Sequence, residues 1–125
     1  MSRECVLCGK TVRGFGTRGI NKQLRRTLEM TDRLRVARRT VAERGPLVED
    51  GDNGPLLQSL DSMIQEGESY ADFWHNAVHD IDIPNPSEAR VIKREWVAWG
   101  KSARPMLRLL DLPPEALVRV LSESR

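Results

Sequence analysis

The feature that most constrains this chain is the distribution of its four best metal ligands, two cysteines and two histidines. Cys5 and Cys8 are separated by two residues and followed by a glycine. His75 and His79 are four residues apart, a spacing that places both on one face of a helix. Two thiolates and two imidazoles can complete a tetrahedral zinc site. The pattern therefore predicts a zinc knuckle at the N-terminus, joined through the metal to a helix whose His75 is separated from Cys8 by 66 residues.

Two alternatives remain open for these ligands. They are either free thiols with two surface histidines, or parts of a metal site whose ligands come from more than one chain. A disulfide between Cys5 and Cys8 is disfavoured because nothing marks the chain as secreted. The N-terminus lacks an apolar signal segment, and no run of eighteen apolar residues occurs. We therefore expect a cytoplasmic protein (host cytoplasm if the source is viral) without a membrane span.

Charge is strongly segregated along the 125 residues, although the net charge is only +2. Residues 1–44 carry a net charge of +8, residues 45–90 carry −9 and residues 91–125 carry +3. A basic first third beside an acidic middle indicates a surface for a polyanion, DNA or RNA with DNA favoured, and a separate acidic face for a protein partner. The alternative is that the two blocks neutralise each other within the fold or between subunits.

The basic charge lies on two predicted segments. Residues 9–19 contain Gly14, Gly16 and Gly19, which exclude a regular helix and favour a flexible basic arm. Residues 20–44 repeat apolar side chains every three to four positions, which predicts a helix with an arginine-rich outer face. Such a face either contacts phosphates or is a solvated surface with ion pairs within the helix. The candidate nucleic-acid contacts are Lys10, Arg13, Arg18, Lys22, Arg25, Arg26, Arg33, Arg38 and Arg39.

The fold class predicted from these patterns is all-α, with about five helices. Gly67 ends one predicted helix, and a Ser69-x-x-Asp72 capping box begins the next. The predicted helices cover residues 20–44, 55–66, 69–79, 87–110 and 114–121, with a kink at Pro105 or a new start after Gly100. We expect a knuckle and basic arm in residues 1–19 and a helical domain in residues 20–125.

The fourth predicted helix has an apolar stripe that includes Trp96 and Trp99. This stripe is longer than a small monomer needs, so it predicts a subunit interface and a homo-oligomer.

Three stretches resemble small terminase subunits of tailed phages. They are GFGTRG at 14–19 opening a helix, AERGPLVEDG at 42–51, and a closing region in which Asn85-Pro86 precedes a helix and LLDLP stands at 109–113. The resemblance implies a DNA-packaging recognition subunit. Such a protein forms rings, binds viral DNA, hands it to the motor-nuclease subunit and is not itself an enzyme.

Two other functions remain possible from the residues. One is a small phage or plasmid regulator that docks on a host protein such as RNA polymerase through its acidic face, Trp96 and Trp99. The other is an HNH-like metal nuclease with His79 as general base and Asp82 as a metal ligand. The second cysteine pair and the terminal histidine of the nuclease pattern are missing. We therefore expect a protein without enzymatic activity.

Overall fold

The computed structural model describes residues 3–12, 17–45, 53–79, 85–111 and residue 119. Over these residues the chain forms a short hairpin followed by three helices. The hairpin strands are β1 (Arg3–Glu4) and β2 (Thr11–Val12), which pair antiparallel with Glu4 opposite Thr11. The helices are α1 (Thr17–Arg44), α2 (Gly54–Val78) and α3 (Pro86–Leu110). The prediction of a mainly helical protein is confirmed, but the described residues contain three helices rather than five.

Helix α1 agrees with the predicted helix except at its start. It begins at Thr17, so Gly19 lies inside its first turns instead of in a non-helical arm. It ends at Arg44, where Gly45 adopts a φ of 77° and donates its backbone N–H to the carbonyl of Val41 at 3.2 Å. A left-handed glycine of this kind is a common way to end a helix.

Helix α2 replaces two predicted helices, and Gly67 explains the difference. We predicted a helix end at Gly67, but the helix continues through it from Gly54 to Val78. A Cβ atom built on Gly67 would overlap Thr31 of α1 and lie 2.8 Å from Cζ2 of Trp99 in α3. Glycine is therefore present because α1 and α3 both approach the α2 backbone at this point, and packing outweighs its weak helix propensity.

Helix α3 is also continuous where the sequence suggested a break. Asn85 caps it by accepting a hydrogen bond from the N–H of Glu88 at 2.9 Å. The helix passes through Gly100 and Pro105 to Leu110. Pro105 is exposed, whereas Ala103 and Leu107 on either side of it are buried. The buried face is thus retained across the proline. The predicted last helix, 114–121, lies outside the described residues except for residue 119.

The three helices form a bundle in which α1 and α3 run in the same direction. Ile20, near the start of α1, lines a groove with Ala89, near the start of α3. Val41, near the end of α1, lines another with Leu107, near the end of α3. Helix α2 runs in the opposite direction, since Asn53 at its start donates a side-chain hydrogen bond to the carbonyl of Gly45.

The core has two apolar clusters along this bundle. The first joins the hairpin to α1 and α2, and includes Cys5, Val12, Leu24, Ala71, Trp74 and Val78. The second joins all three helices, and includes Leu34, Val41, Leu60, Trp99, Ala103 and Leu107. The hairpin is thereby packed on the helices through its own buried side chains.

Candidate metal centre

The two cysteines lie on the tight turn between β1 and β2. The backbone N–H of Cys5 donates to the carbonyl of Lys10 at 2.8 Å, and the N–H of Gly9 donates to the carbonyl of Cys5 at 2.9 Å. Gly9 has a φ of 75°, and a Cβ built on it meets nothing within 4 Å, so its backbone conformation rather than space favours glycine. This turn brings the side chains of Cys5 and Cys8 to the same end of the hairpin.

The two histidines lie at the C-terminal end of α2. His75 is in the last turn, and His79 is the C-cap residue, whose N–H donates to the carbonyl of His75 at 3.2 Å. Their ring centroids are 4.7 Å apart and the rings are nearly perpendicular. The predicted spacing of one helical turn therefore holds to the end of the helix and places both imidazoles beside each other.

The hairpin and the end of α2 bring all four side chains into one cluster that can hold a metal ion. One ligand atom from each of Cys5, Cys8, His75 and His79 lies within 4.8 Å of the other three. Cys8 Sγ and His79 Nε2 are 3.2 Å apart. Bond lengths of about 2.3 Å to sulfur and 2.0–2.1 Å to nitrogen place tetrahedral ligands about 3.3–3.8 Å apart. The cluster is therefore close to the dimensions of a four-coordinate site.

His75 supplies independent support for a metal at this position. Its Nε2 atom is buried and has no hydrogen-bond partner among the described residues. A buried polar atom without a partner is costly, because it has lost its hydrogen bonds to water. Coordination of a metal by this nitrogen would satisfy it.

The electrostatics favour the thiolate form of Cys8. The neighbouring His75 side chain has the largest effect on this thiol, followed by hydrogen bonding from the Lys10 backbone, and together these lower the pKa of Cys8 to about 6. Cys5 and His79 act in the same direction. The thiolate is the form that binds metals, so the lowered pKa of Cys8 favours metal binding.

Asn21 of α1 positions the cysteine-bearing turn, and the sequence analysis did not identify it. Its Oδ1 accepts a hydrogen bond from the N–H of Val6 at 3.0 Å, and its Nδ2 donates to the carbonyl of Glu4 at 2.9 Å. Asn21 is buried at 9% exposure. A signal was present, because Asn21 stands three residues before Leu24 and so shares the inward face of α1.

The predicted nucleic-acid contacts occupy different environments. Arg38 is half-buried and pairs with Asp61 of α2 at 2.6 Å, and Arg33 pairs with Asp111 at 3.6 Å. Arg13 lies outside the described residues, and the backbone of Arg18 is in the first turn of α1. The remaining candidates are exposed: Lys10 on the hairpin and Lys22, Arg25, Arg26 and Arg39 on α1.

The two tryptophans predicted at a subunit interface pack within one chain. Trp99 is 5% exposed and donates its indole N–H to the carbonyl of Met63 at 2.9 Å. Trp96 is half-buried and donates to Oγ1 of Thr27 at 2.8 Å. The long apolar stripe of α3 is thus the face that packs on α1 and α2. The stripe therefore does not require a second subunit to cover it. A homo-oligomer stays a prediction.

The nuclease alternative gains no catalytic geometry from the described residues. His79 faces Cys8 inside the ligand cluster. Asp82, its proposed partner, lies outside the part of the chain that the structure describes.

No protein-family model, curated protein or solved structure matches this chain. None of the helices over the described residues combines the length and the apolar character needed to cross a membrane.

Proposed function

We propose that this protein is a zinc-stapled helical protein that binds DNA. The observation that carries the proposal is the cluster of Cys5, Cys8, His75 and His79, whose ligand atoms come within 4.8 Å of one another. Two thiolates and two imidazoles are a donor set that suits zinc, and four protein ligands leave no open position for a substrate. The metal would therefore have a structural role.

Zinc at this position would fix the hairpin against the end of α2. A two-stranded hairpin is marginally stable by itself. The described strands have only two residues each, so most of the hairpin's stability must come from Asn21, from the apolar contacts of Cys5 and Val12, and from the metal. The staple would hold Lys10 in a constant position relative to the basic start of α1.

Exposed basic residues near the start of α1 support DNA binding. Lys22, Arg25 and Arg26 are exposed, and none of them forms an ion pair with another described residue. Free cations on a helix surface bind phosphates and release counterions from DNA, which makes the affinity depend on salt. They follow Asn21, which bonds to the cysteine-bearing turn, so a staple that fixes this turn would bear on how the start of α1 meets DNA.

From the resemblance to small terminase subunits, we propose a role for this DNA binding in viral DNA packaging. The protein would recognise viral DNA before packaging and assemble as a ring. Native mass spectrometry of the purified protein tests the zinc staple and the ring assembly. One zinc per chain in a ring-sized oligomer is expected, whereas a zinc-bound monomer would favour a regulator that binds a host protein.

DNA binding is tested by the salt dependence of the affinity for a 30-base-pair duplex. The triple variant of Lys22, Arg25 and Arg26 to glutamine should flatten the slope of log K against log salt by about 2–3, because each phosphate contact contributes about 0.9. The control lowers the net charge equally by placing glutamate at exposed Ser59, Ser62 and Gln65 of α2. Equal losses in both variants, or wild-type binding without salt dependence, would contradict the proposal.

A further inference from the structure

All six basic residues of α3 lie on one side of that helix. At 3.6 residues per turn, they fall within a sector of about 100°. The acidic residues Glu88 and Glu95 project from a different side. The six basic residues are all exposed: Arg90, Lys93, Arg94, Lys101, Arg104 and Arg108. The net charge does not reveal this row, because residues 91–125 carry only +3.

The basic side of α3 lies next to α1. Lys93 lines a groove with Gln23 of α1, and Arg104 lines a second groove with Arg26 of α1. Because α1 and α3 run in the same direction, they stay side by side along their length. The basic row of α3 therefore follows the seam between α1 and α3.

Helix α1 contributes a second basic row on its own side of the seam. Lys22, Arg26 and Arg33 recur at intervals of four and seven residues, which places them in one line along the helix. Arg26 borders the groove that also contains Arg104, and Arg33 borders the next groove toward the end of the helix. Two rows of cations thus flank the seam.

Acidic neighbours neutralise the other side of α1 and leave the seam positive. Arg35 pairs with Glu68 at 3.0 Å, and Arg38 pairs with Asp61 at 2.6 Å, both across the α1–α2 contact. By contrast, no basic residue of α3 forms an ion pair with any residue that the structure describes, and in the α1 row only Arg33 does, with Asp111. Glu29 also lies on the α1 line, but basic side chains outnumber acidic ones along the two rows, and such an excess of positive charge suits a polyanion.

We infer that the α1–α3 seam is a two-row docking surface for the phosphate backbones of duplex DNA. This inference rests on the proposed function and adds α3 to it. Axes of packed helices are about 8–10 Å apart, and rows on their outer flanks are further apart, comparable with the ~12 Å width of the major groove. Each row can then contact one strand. Arg90 to Arg108 spans about 27 Å along α3.

The test neutralises the α3 row and measures binding of a 30-base-pair duplex at several salt concentrations. The variant is Arg90→Gln, Lys93→Gln and Arg104→Gln, since glutamine retains helix propensity. We expect at least tenfold weaker binding at about 100 mM salt and a salt slope flatter by about 2–3, as three lost phosphate contacts require. Circular dichroism and the melting temperature should remain those of the wild type.

A matched control changes a different side of the same helix, where Ala98 and Ser102 line a groove with α2. The variant Val91→Glu, Ala98→Glu and Ser102→Glu lowers the net charge by the same three units, at exposed positions away from α1. It should retain most of the affinity. If both variants lose affinity equally, net charge rather than the seam governs binding, and the inference is wrong.

The outcomes separate this inference from the proposed function. If the α1 variant loses binding while the α3 variant binds like the wild type, DNA binding stands and the two-row surface is overturned. If the wild type does not bind the duplex even at low salt, both fail. If poly-glutamate displaces the duplex at equal charge concentration, the seam fits an acidic protein surface and duplex recognition is overturned.

Discussion

At the scale of single residues, small side chains decide how closely the helices approach. Gly67 lies where α2 meets Thr31 and Trp99. Thr31 is 2% exposed, and its hydroxyl donates to the carbonyl of Thr27 at 2.7 Å. Thr27 is fully buried, and its hydroxyl both donates to the Gln23 carbonyl and accepts from the Trp96 indole. These threonines can occupy an apolar face because their hydroxyls are satisfied there.

Replacing Gly67 with alanine should destabilise the protein although alanine is the better helix former. The added methyl group would overlap Thr31 and come within 2.8 Å of the Trp99 ring. Overpacking typically costs 1–3 kcal/mol, against about 1 kcal/mol gained from propensity. We expect a net loss of up to about 2 kcal/mol in the free energy of unfolding, measured by urea denaturation.

Gly19→Ala in α1 is the control for this substitution. A Cβ at Gly19 meets nothing within 4 Å. This variant should therefore gain up to about 1 kcal/mol from helix propensity alone. Equal effects of the two substitutions would contradict a packing role for Gly67.

At the scale of elements, the hairpin depends on partners that are distant in sequence. Asn21 holds its backbone from α1, while His75 and His79 face it from α2. The cysteines are therefore presented to the histidines by a turn that α1 keeps in position. Partners that hold metal ligands in place usually affect metal affinity strongly.

Asn21→Ala should weaken zinc binding without removing a ligand. It deletes the bonds to Val6 and Glu4, so the turn must be ordered when the metal binds. We expect about 10–100-fold lower zinc affinity, measured by competition with a chromogenic chelator. Asn21→Asp retains the acceptor for Val6 but not the donor for Glu4. Its zinc affinity should lie between those of the wild type and Asn21→Ala. Unchanged zinc affinity in Asn21→Ala would show that Asn21 has no positioning role.

At the scale of the whole molecule, the proposed zinc ion links regions that the chain separates by 66 residues. A ligand that binds only the folded state stabilises it by mass action, about 2.7 kcal/mol at a hundredfold excess over the dissociation constant. The remainder of the bundle has its own apolar cluster around Leu34, Leu60 and Trp99, which does not include the hairpin. Loss of metal should thus weaken the fold rather than abolish it.

Treatment with a strong chelator should lower the melting temperature by about 10 °C, given a few degrees per kcal/mol for a domain of this size. Differential scanning calorimetry with and without the chelator measures the change. In Cys5→Ser and His79→Ala variants the melting temperature should already be low, and the chelator should have no further effect. A wild-type melting temperature insensitive to the chelator would exclude a structural metal.

The sequence alone determined the features that depend on local spacing. The period of α1 predicted its end at Arg44, because apolar side chains every three to four residues and a following Gly-Pro report directly on helix geometry. The spacings of Cys5 to Cys8 and of His75 to His79 predicted the two halves of the ligand cluster for the same reason. Each of these patterns is complete within a few residues.

Only the tertiary structure decided features that depend on contacts between distant residues. Gly67 has the pattern of a helix end, but its two neighbouring helices make it a close-packing position. Trp99 has the pattern of an exposed interface residue, but α1 and α2 bury it. The basic row of α3 became visible as part of one surface only when α3 lay beside Arg26 of α1. Local periodicity specifies which side chains share a face, whereas packing free energy determines what that face contacts.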